Sequence, residues 1–172
     1  MVEKVSMTIY VMTYPLPNDI KSRIQLKDDD FIIGVDQALA GLYKQRIPVH
    51  LAVGDFDSLK NKGLLHGLNV ETLPVEKDMT DSFYALKRAH EMHHDEIILV
   101  GGAGGERIEH VVAHFNLFHH YPNLKMITEE SVIFITNKHI QTSHHGYINI
   151  FPYLNGAIRT EDKGTTITPC RS

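Results

Sequence analysis

Residues 31–59, FIIGVDQALAGLYKQRIPVHLAVGDFDSL, decide the fold. Two β-rich apolar runs, FIIGV (31–35) and VHLAV (49–53), enclose DQALAGLYKQ (36–45), whose apolar residues recur at helical spacing. Strand, helix and strand in so short a span imply a parallel sheet wound by helical crossovers. Working outward, MTIYVM (7–12) reads as a first strand and GDFDSLKNKGLLHGL (54–68) as a further helix-bearing crossover. The alternation continues through VETLPV (70–75), the helix pattern TDSFYALKRAHEMHH (80–94), the strand EIILVGG (96–102) and the helix pattern IEHVVAHFNLFHHY (108–121). Repeated winding of this kind predicts an α/β fold with a Rossmann-like parallel sheet. After Pro122 the helical period stops, and KMIT, SVIFIT and YINIF read as short strands. The expectation is an α/β domain over 1–123 followed by a β lobe over 124–172.

Composition narrows the class. The 172 residues carry a formal net charge of −4, with 42% hydrophobic and 22% charged residues, as in an ordinary globular protein. That balance gives no footprint for nucleic acid. The apolar start of the chain is too short and too interrupted for a signal peptide or a membrane span. Cys170 is the single cysteine, so an intramolecular disulfide and a zinc ribbon are both excluded. A reducing, cytoplasmic setting is expected.

Ligands of open parallel sheets bind outside the carboxyl ends of the strands. The chain places acids there three times: Asp36 after FIIGV, Asp55 and Asp57 after VHLAV, Asp78 and Asp81 after VETLPV. In an extended segment residues two apart share a side, so Asp55 and Asp57 present both carboxylates to one point. Their repulsion favours a cation, and hard oxygen ligands suit Mg²⁺ bridging to phosphate. The plainer reading makes Asp57 or Ser58 the N-cap of a following helix, and Thr80 with Asp81 an ordinary helix start.

The second informative segment is LVGGAGGERIEHVVAHFNLF (99–118), a strand end, four glycines within five residues, and a helix pattern from Ile108. Glycines let backbone N–H groups approach an anion, a helix N-terminus adds favourable partial charge, and Arg107 offers bidentate donation to phosphate. The turn matches neither the P-loop nor the dinucleotide pattern. Histidine pairs, and His110 with His114 four apart, are also compatible with zinc, although adjacent histidines diverge.

GDFDS, then EKDMTD, then GGERIEH, in this order and spacing over roughly Phe31 to Phe118, resemble the thiamine pyrophosphokinase family. The resemblance implies a Rossmann-like domain followed by a β-sandwich lobe, a homodimer, and ATP and thiamine as partners. It implies Mg²⁺ held by Asp55, Asp57 and Asp81. Catalytic roles fall on Asp57, Asp81 and Arg107. Nucleotide or phosphate contacts fall on Asp36, Ser58, Lys77, Thr80, Gly102, Gly104, Gly105, Glu109, His110 and Asn116. Three positions depart from the family. Glu106 replaces a loop glycine, Glu109 stands at an aspartate, and VDQALAG replaces a glycine-bearing turn. The Ser-Asn-Glu-like segment that lines the family's thiamine site is not found before DKGTTITPCRS, and the expectation is one of three: a shortened β lobe, a gene damaged near its end, or thiamine held in some other way. Other metal-dependent kinases or phosphoesterases, and a non-catalytic nucleotide or thiamine binder, share these features and stay open.

Overall fold

The computed structural model describes residues 6–74, 79–104, 108–137, 140, 147–151 and 168–169. The chain divides into two compact units, Met1–Phe134 and Ile135–Ser172. The first unit runs β1 (Thr8–Thr13), α1 (Ile20–Arg23), β2 (Phe31–Val35), α2 (Ala38–Lys44), β3 (Leu51–Gly54), a 3₁₀ turn (Lys62–Leu65) and β4 (Val70–Thr72). It continues with α3 (Asp81–Glu91), β5 (Glu96–Gly101), α4 (Ile108–His120), β6 (Lys125–Ile127) and β7 (Val132–Phe134). Its strands form one seven-stranded sheet in the order β4-β3-β2-β1-β5-β6-β7, parallel throughout except for the antiparallel β6–β7 pair. This is the mixed α/β architecture expected from the sequence.

Strand β1 is the centre. All six of its residues, TIYVMT, are buried, and it pairs with β2 on one side and β5 on the other. Side chains alternate across a strand, so each face has its own core. Tyr10, Met12, Ile32, Ile98 and Val100 pack with Ile20, Ile24 and Leu42 on one face. Ile9, Val11, Ile33 and Leu99, all fully buried, point the other way. Helix α3 packs against β1, β2, β3 and β5 and buries Ala85, Leu86 and Ala89, three of the positions its sequence period marks as apolar.

The chain steps outward from β1 to β4, and α3 then carries it back across the sheet to β5 on the opposite side of β1. The reversal makes a topological switch point between β1 and β5. Helix α3 starts there because Thr80 accepts a bond from the Phe83 N–H (3.2 Å), while Asp81 sits in the first turn where the helix dipole favours an acid.

Two expectations are corrected. The segment LKNKGLLHGL forms only the 3₁₀ turn Lys62–Leu65, because Asn61 caps Gly63 at 3.0 Å and the chain reverses at the left-handed Gly67 (φ +81). Its leucines find cover without a helix, as Leu64, Leu65 and Leu68 pack against Leu39, Phe56 and Leu59. Likewise, KMI and VIF belong to the main sheet rather than to a separate lobe. Met126 and Ile127 are buried where β6 joins β5, and β7 closes that edge. In the second unit β8 (Asn149–Ile150) pairs in parallel with β9 (Thr168–Pro169). Among the described residues no helix is long and apolar enough to cross a membrane.

Leu99 lies fully buried in β5, whereas Val132 on the edge strand is half exposed. Leu99→Ala is expected to cost about 2–5 kcal/mol in urea unfolding, and Val132→Ala less than about 1 kcal/mol. Similar losses for the two would contradict this placement of the core.

Candidate active site at the carboxyl edge of the sheet

Strands β2 and β3 end side by side and deliver their acids to one place. One ligand atom from each of Asp36, Asp55 and Asp57 lies within 4.8 Å of the others. The reason is local. Gly54 ends β3 where an added Cβ would meet Asp36 Cβ at 3.0 Å and Asp36 Cα and N at 3.2 Å, so the two strand ends approach only over a glycine. The Asp36 N–H donates to the Val53 carbonyl at 2.9 Å and fastens that approach.

The segment between Asp55 and Asp57 is not extended, as the spacing suggested. Phe56 is left-handed (φ 56) and buried, and the turn it makes brings the Asp57 N–H to Asp55 Oδ1 at 3.2 Å. Asp36 is left-handed too (φ 44). Strained backbone at bulky residues costs on the order of 1–3 kcal/mol each and is held only by its surroundings. Here the Phe56 ring, seated in the cluster with Leu39, Ala52 and Leu59, does the holding.

Ser58 links the acids. Its hydroxyl faces Asp57 Oδ1 at 2.8 Å and Asp36 Oδ2 at 3.1 Å, so one proton is shared between two carboxylates. Asp36 Oδ1 is buried with no hydrogen-bond partner among the described residues. Burial pushes the Asp36 carboxyl above its ordinary range, opposed by the Ser58 hydroxyl and the Gln37 N–H and reinforced by the charges of Asp55 and Asp81. Stability from this group is complete below the ordinary carboxylate value and falls as pH rises through the raised one. Ionising Asp36 in the fold therefore carries a cost that a bound cation would relieve. An orphaned buried oxygen, three converging carboxylates and oxygen-only donors fit a hard divalent cation such as Mg²⁺.

The capping alternative fails for Asp57 and Ser58, since Asn61 caps the turn that follows, but holds for Thr80. Asp81 stands outside the three-carboxylate cluster, at the start of α3, although its charge reaches Asp36. Lys77, Gly105 and Arg107 lie outside the described residues. Glu109, His110 and Asn116 are exposed on α4.

On the other side of β1 the glycine turn is packed tightly. Gly101 (φ +89) and Gly102 (φ +78) are left-handed, and the Gly102 N–H is committed to the Pro15 carbonyl at 3.0 Å. An added Cβ at Gly102 would sit 2.6 Å from His114 Nδ1 and 2.8 Å from Thr13 Cγ2. Gly104 (φ +104) is exposed beyond this pinned start.

His114 is the functional candidate that the sequence reading passed over. Its ring is buried on α4, with Nδ1 2.8 Å from the Gly102 carbonyl and Nε2 3.0 Å from Ser82 Oγ. Ser82 Oγ is in turn 3.0 Å from Thr13 Oγ1. The available signal was a histidine aligned with Leu117 and Phe118 on the buried face of the helix. With both ring nitrogens engaged, His114 has no lone pair to share with His110 as a zinc pair. The one candidate metal cluster among the described residues contains no histidine.

Comparison with known proteins bears on this arrangement. Residues 23–128 match the family model described as thiamin pyrophosphokinase, catalytic domain. Among solved structures, the chain is similar to thiamin pyrophosphokinase from Geobacillus thermodenitrificans, at 28% identity and TM-score 0.57, over 70% of this chain and 59% of that one. It is similar to thiamine pyrophosphokinase from Bacillus subtilis at 26% identity and TM-score 0.58, over 70% of this chain and 60% of that one. The chain thus spans about three fifths of the length of these relatives. No curated protein matches.

Burial lowers the His114 imidazole below its ordinary value, with the Gly102 carbonyl opposing and His110 adding to the effect. The folded state then binds fewer protons than the unfolded one, so acidification below about pH 6.5 costs up to about 1.4 kcal/mol per pH unit until the folded value is reached. His114→Asn is expected to show a smaller loss of Tm between pH 7.5 and pH 5.5 than the parent chain; an equal loss would contradict a buried neutral imidazole.

Proposed function

This chain belongs to the thiamin pyrophosphokinase family, and from that membership we propose that it transfers a diphosphoryl group from ATP to the hydroxyethyl oxygen of thiamine. The observation that supports the reading most is the meeting of Asp36, Asp55 and Asp57 at the carboxyl ends of β2 and β3, on the sheet edge that across β1 also carries the glycine turn after β5. Such a cluster suits the triphosphate of a nucleotide only with a cation between them, since carboxylates and phosphates repel.

In the proposed reaction the thiamine hydroxyl oxygen forms a bond to the β-phosphorus of ATP. The bond from that phosphorus to the oxygen bridging it to the α-phosphate breaks, and AMP departs with the bridging oxygen. The hydroxyl proton passes to a carboxylate of the site, Asp57 or Asp81. Transfers of this kind depend on positioning and charge neutralisation more than on covalent help from the protein. Asp55, Asp57 and Asp81 would hold Mg²⁺, with Asp36 completing the acidic set. The ion, when bound, supplies charge neutralisation at the phosphate oxygens.

The other assigned residues act by holding charge and orientation. Ser58 keeps Asp36 and Asp57 at a fixed separation. The turn from Gly102 through Gly104 and Gly105, with Arg107, Lys77 and Thr80, would receive phosphate. Glu109, His110 and Asn116 would contact nucleotide from α4. The residues after 134 would contribute the thiamine-binding lobe of a cytoplasmic homodimer, a proposal that rests on the family alone.

The test is to incubate the chain with ATP, Mg²⁺ and thiamine and resolve the products by chromatography. AMP together with thiamine diphosphate is the expected result. ADP would indicate an ordinary kinase, inorganic phosphate a phosphoesterase, and no turnover despite nucleotide binding a binder. Asp57→Asn is expected to lower turnover on the order of 100-fold or more with an unchanged circular dichroism spectrum, because it removes charge and little volume. Retained turnover would remove Asp57 from the site.

A further inference from the structure

The four residues of the buried relay come from four separate places in the chain: Thr13 at the end of β1, Ser82 in the first turn of α3, Gly102 after β5, and His114 in α4. Their hydrogen bonds have one consistent direction. The Gly102 carbonyl accepts only, so His114 Nδ1 must carry a proton. Neither ring partner is a carboxylate, and the ring is 3% exposed, which disfavours a second proton. Nε2 is then an acceptor, Ser82 donates to it, and Thr13 donates to Ser82 Oγ.

This direction ties two parts of the site that the sheet holds apart. Ser82 follows Asp81 directly, whereas Gly102 opens the glycine turn. The ring also fills the space that a Cβ on Gly102 would need, so turn and imidazole are fitted to each other. A shift of either hydrogen bond would move the turn relative to the start of α3.

We propose that His114 is a positioning residue: through Nδ1–H to Gly102 and Nε2 to Ser82 it sets the glycine turn against the acid-bearing start of α3. The consequence for nucleotide binding rests on the diphosphoryl-transfer reading above, whereas the positioning itself does not.

The experiment uses the full chain and three variants. His114→Phe keeps the ring and loses both hydrogen bonds. His114→Asn carries an amide nitrogen close to where Nδ1 lies and keeps donation to Gly102. Ser82→Ala removes the Nε2 partner, and with it the acceptor of the Thr13 hydroxyl, while leaving the Gly102 bond in place. Hydrogen exchange by NMR reads the Gly102 N–H, with Ala52 and Val53 in β3 as controls; ¹⁵N spectra of the parent at pH 7.5 read the tautomer; calorimetry reads Mg²⁺·ATP affinity.

The parent is expected to be protonated at Nδ1 alone. His114→Phe is expected to speed Gly102 exchange at least tenfold and to weaken Mg²⁺·ATP binding about tenfold, with the β3 controls unchanged. His114→Asn should restore both to within about threefold of the parent, a rescue that loss of packing alone would not give. If His114→Phe does not fold, the comparison of His114→Asn with Ser82→Ala decides, Ser82→Ala being expected to lose nucleotide affinity and Gly102 protection while the controls hold. An Nε2–H tautomer, or parent-like Gly102 exchange in a folded His114→Phe, would overturn the proposal. Absence of thiamine diphosphate formation in the parent would instead sink the reaction assigned above, because the tautomer and exchange readouts need no turnover.

Discussion

Strand β1 is buried along its whole length and has a parallel neighbour on each side, and the rest of the molecule is arranged by that fact. A parallel strand cannot be reached by a hairpin, so each neighbour arrives through a crossover, and every strand from β1 to β6 ends at the same edge. The connections run outward to β4 and then return across β1 to β5, which opens a crevice at that edge. Carboxylates enter it from β2, β3 and α3, and glycines from β5. No residue of β1 carries charge, yet its last residue, Thr13, closes the hydrogen-bonded relay beneath the crevice.

Bringing acids together is unfavourable, and the structure shows where the opposing terms lie. Asp36 and Phe56 take left-handed backbone, Asp36 leaves one buried oxygen without a partner among the described residues, and a single Ser58 hydroxyl serves two carboxylates. None of these features favours the fold taken alone. The packing of Phe56 with Leu39, Ala52 and Leu59, and the Asp36 N–H bond to Val53, offset them. A core that holds strained, charged groups at one edge is the usual sign of a site kept for binding rather than for stability.

The sequence revealed what periodicity and composition can carry. Alternating strands and helices, acids at strand ends and a glycine-rich turn before α4 were all legible, because each is written in consecutive residues. The helix expected after Ser58 was not formed, since its leucines satisfied a helical period while Gly63, Gly67 and Asn61 set the backbone. The edge strands β6 and β7 read as a separate lobe because a three-residue strand has no period long enough to show what it pairs with. Asp36 joins Asp55 and Asp57 through the approach of two strand ends across Gly54, a contact between residues distant in sequence. His114 reads in the sequence as a surface or zinc-type histidine, because its two partners, Gly102 after β5 and Ser82 in α3, come from distant parts of the chain.

The central claim is that the carboxylates at the ends of β2 and β3 hold a divalent cation against a nucleotide. Titration of Mn²⁺ into the chain with ATP, followed by electron paramagnetic resonance, tests it most directly. The account predicts Mn²⁺ bound in a ternary complex with the protein and ATP, and weakened at least tenfold by Asp55→Asn. Binding of Mn²⁺·ATP that is indifferent to Asp55→Asn, or no ternary complex at all, would contradict it.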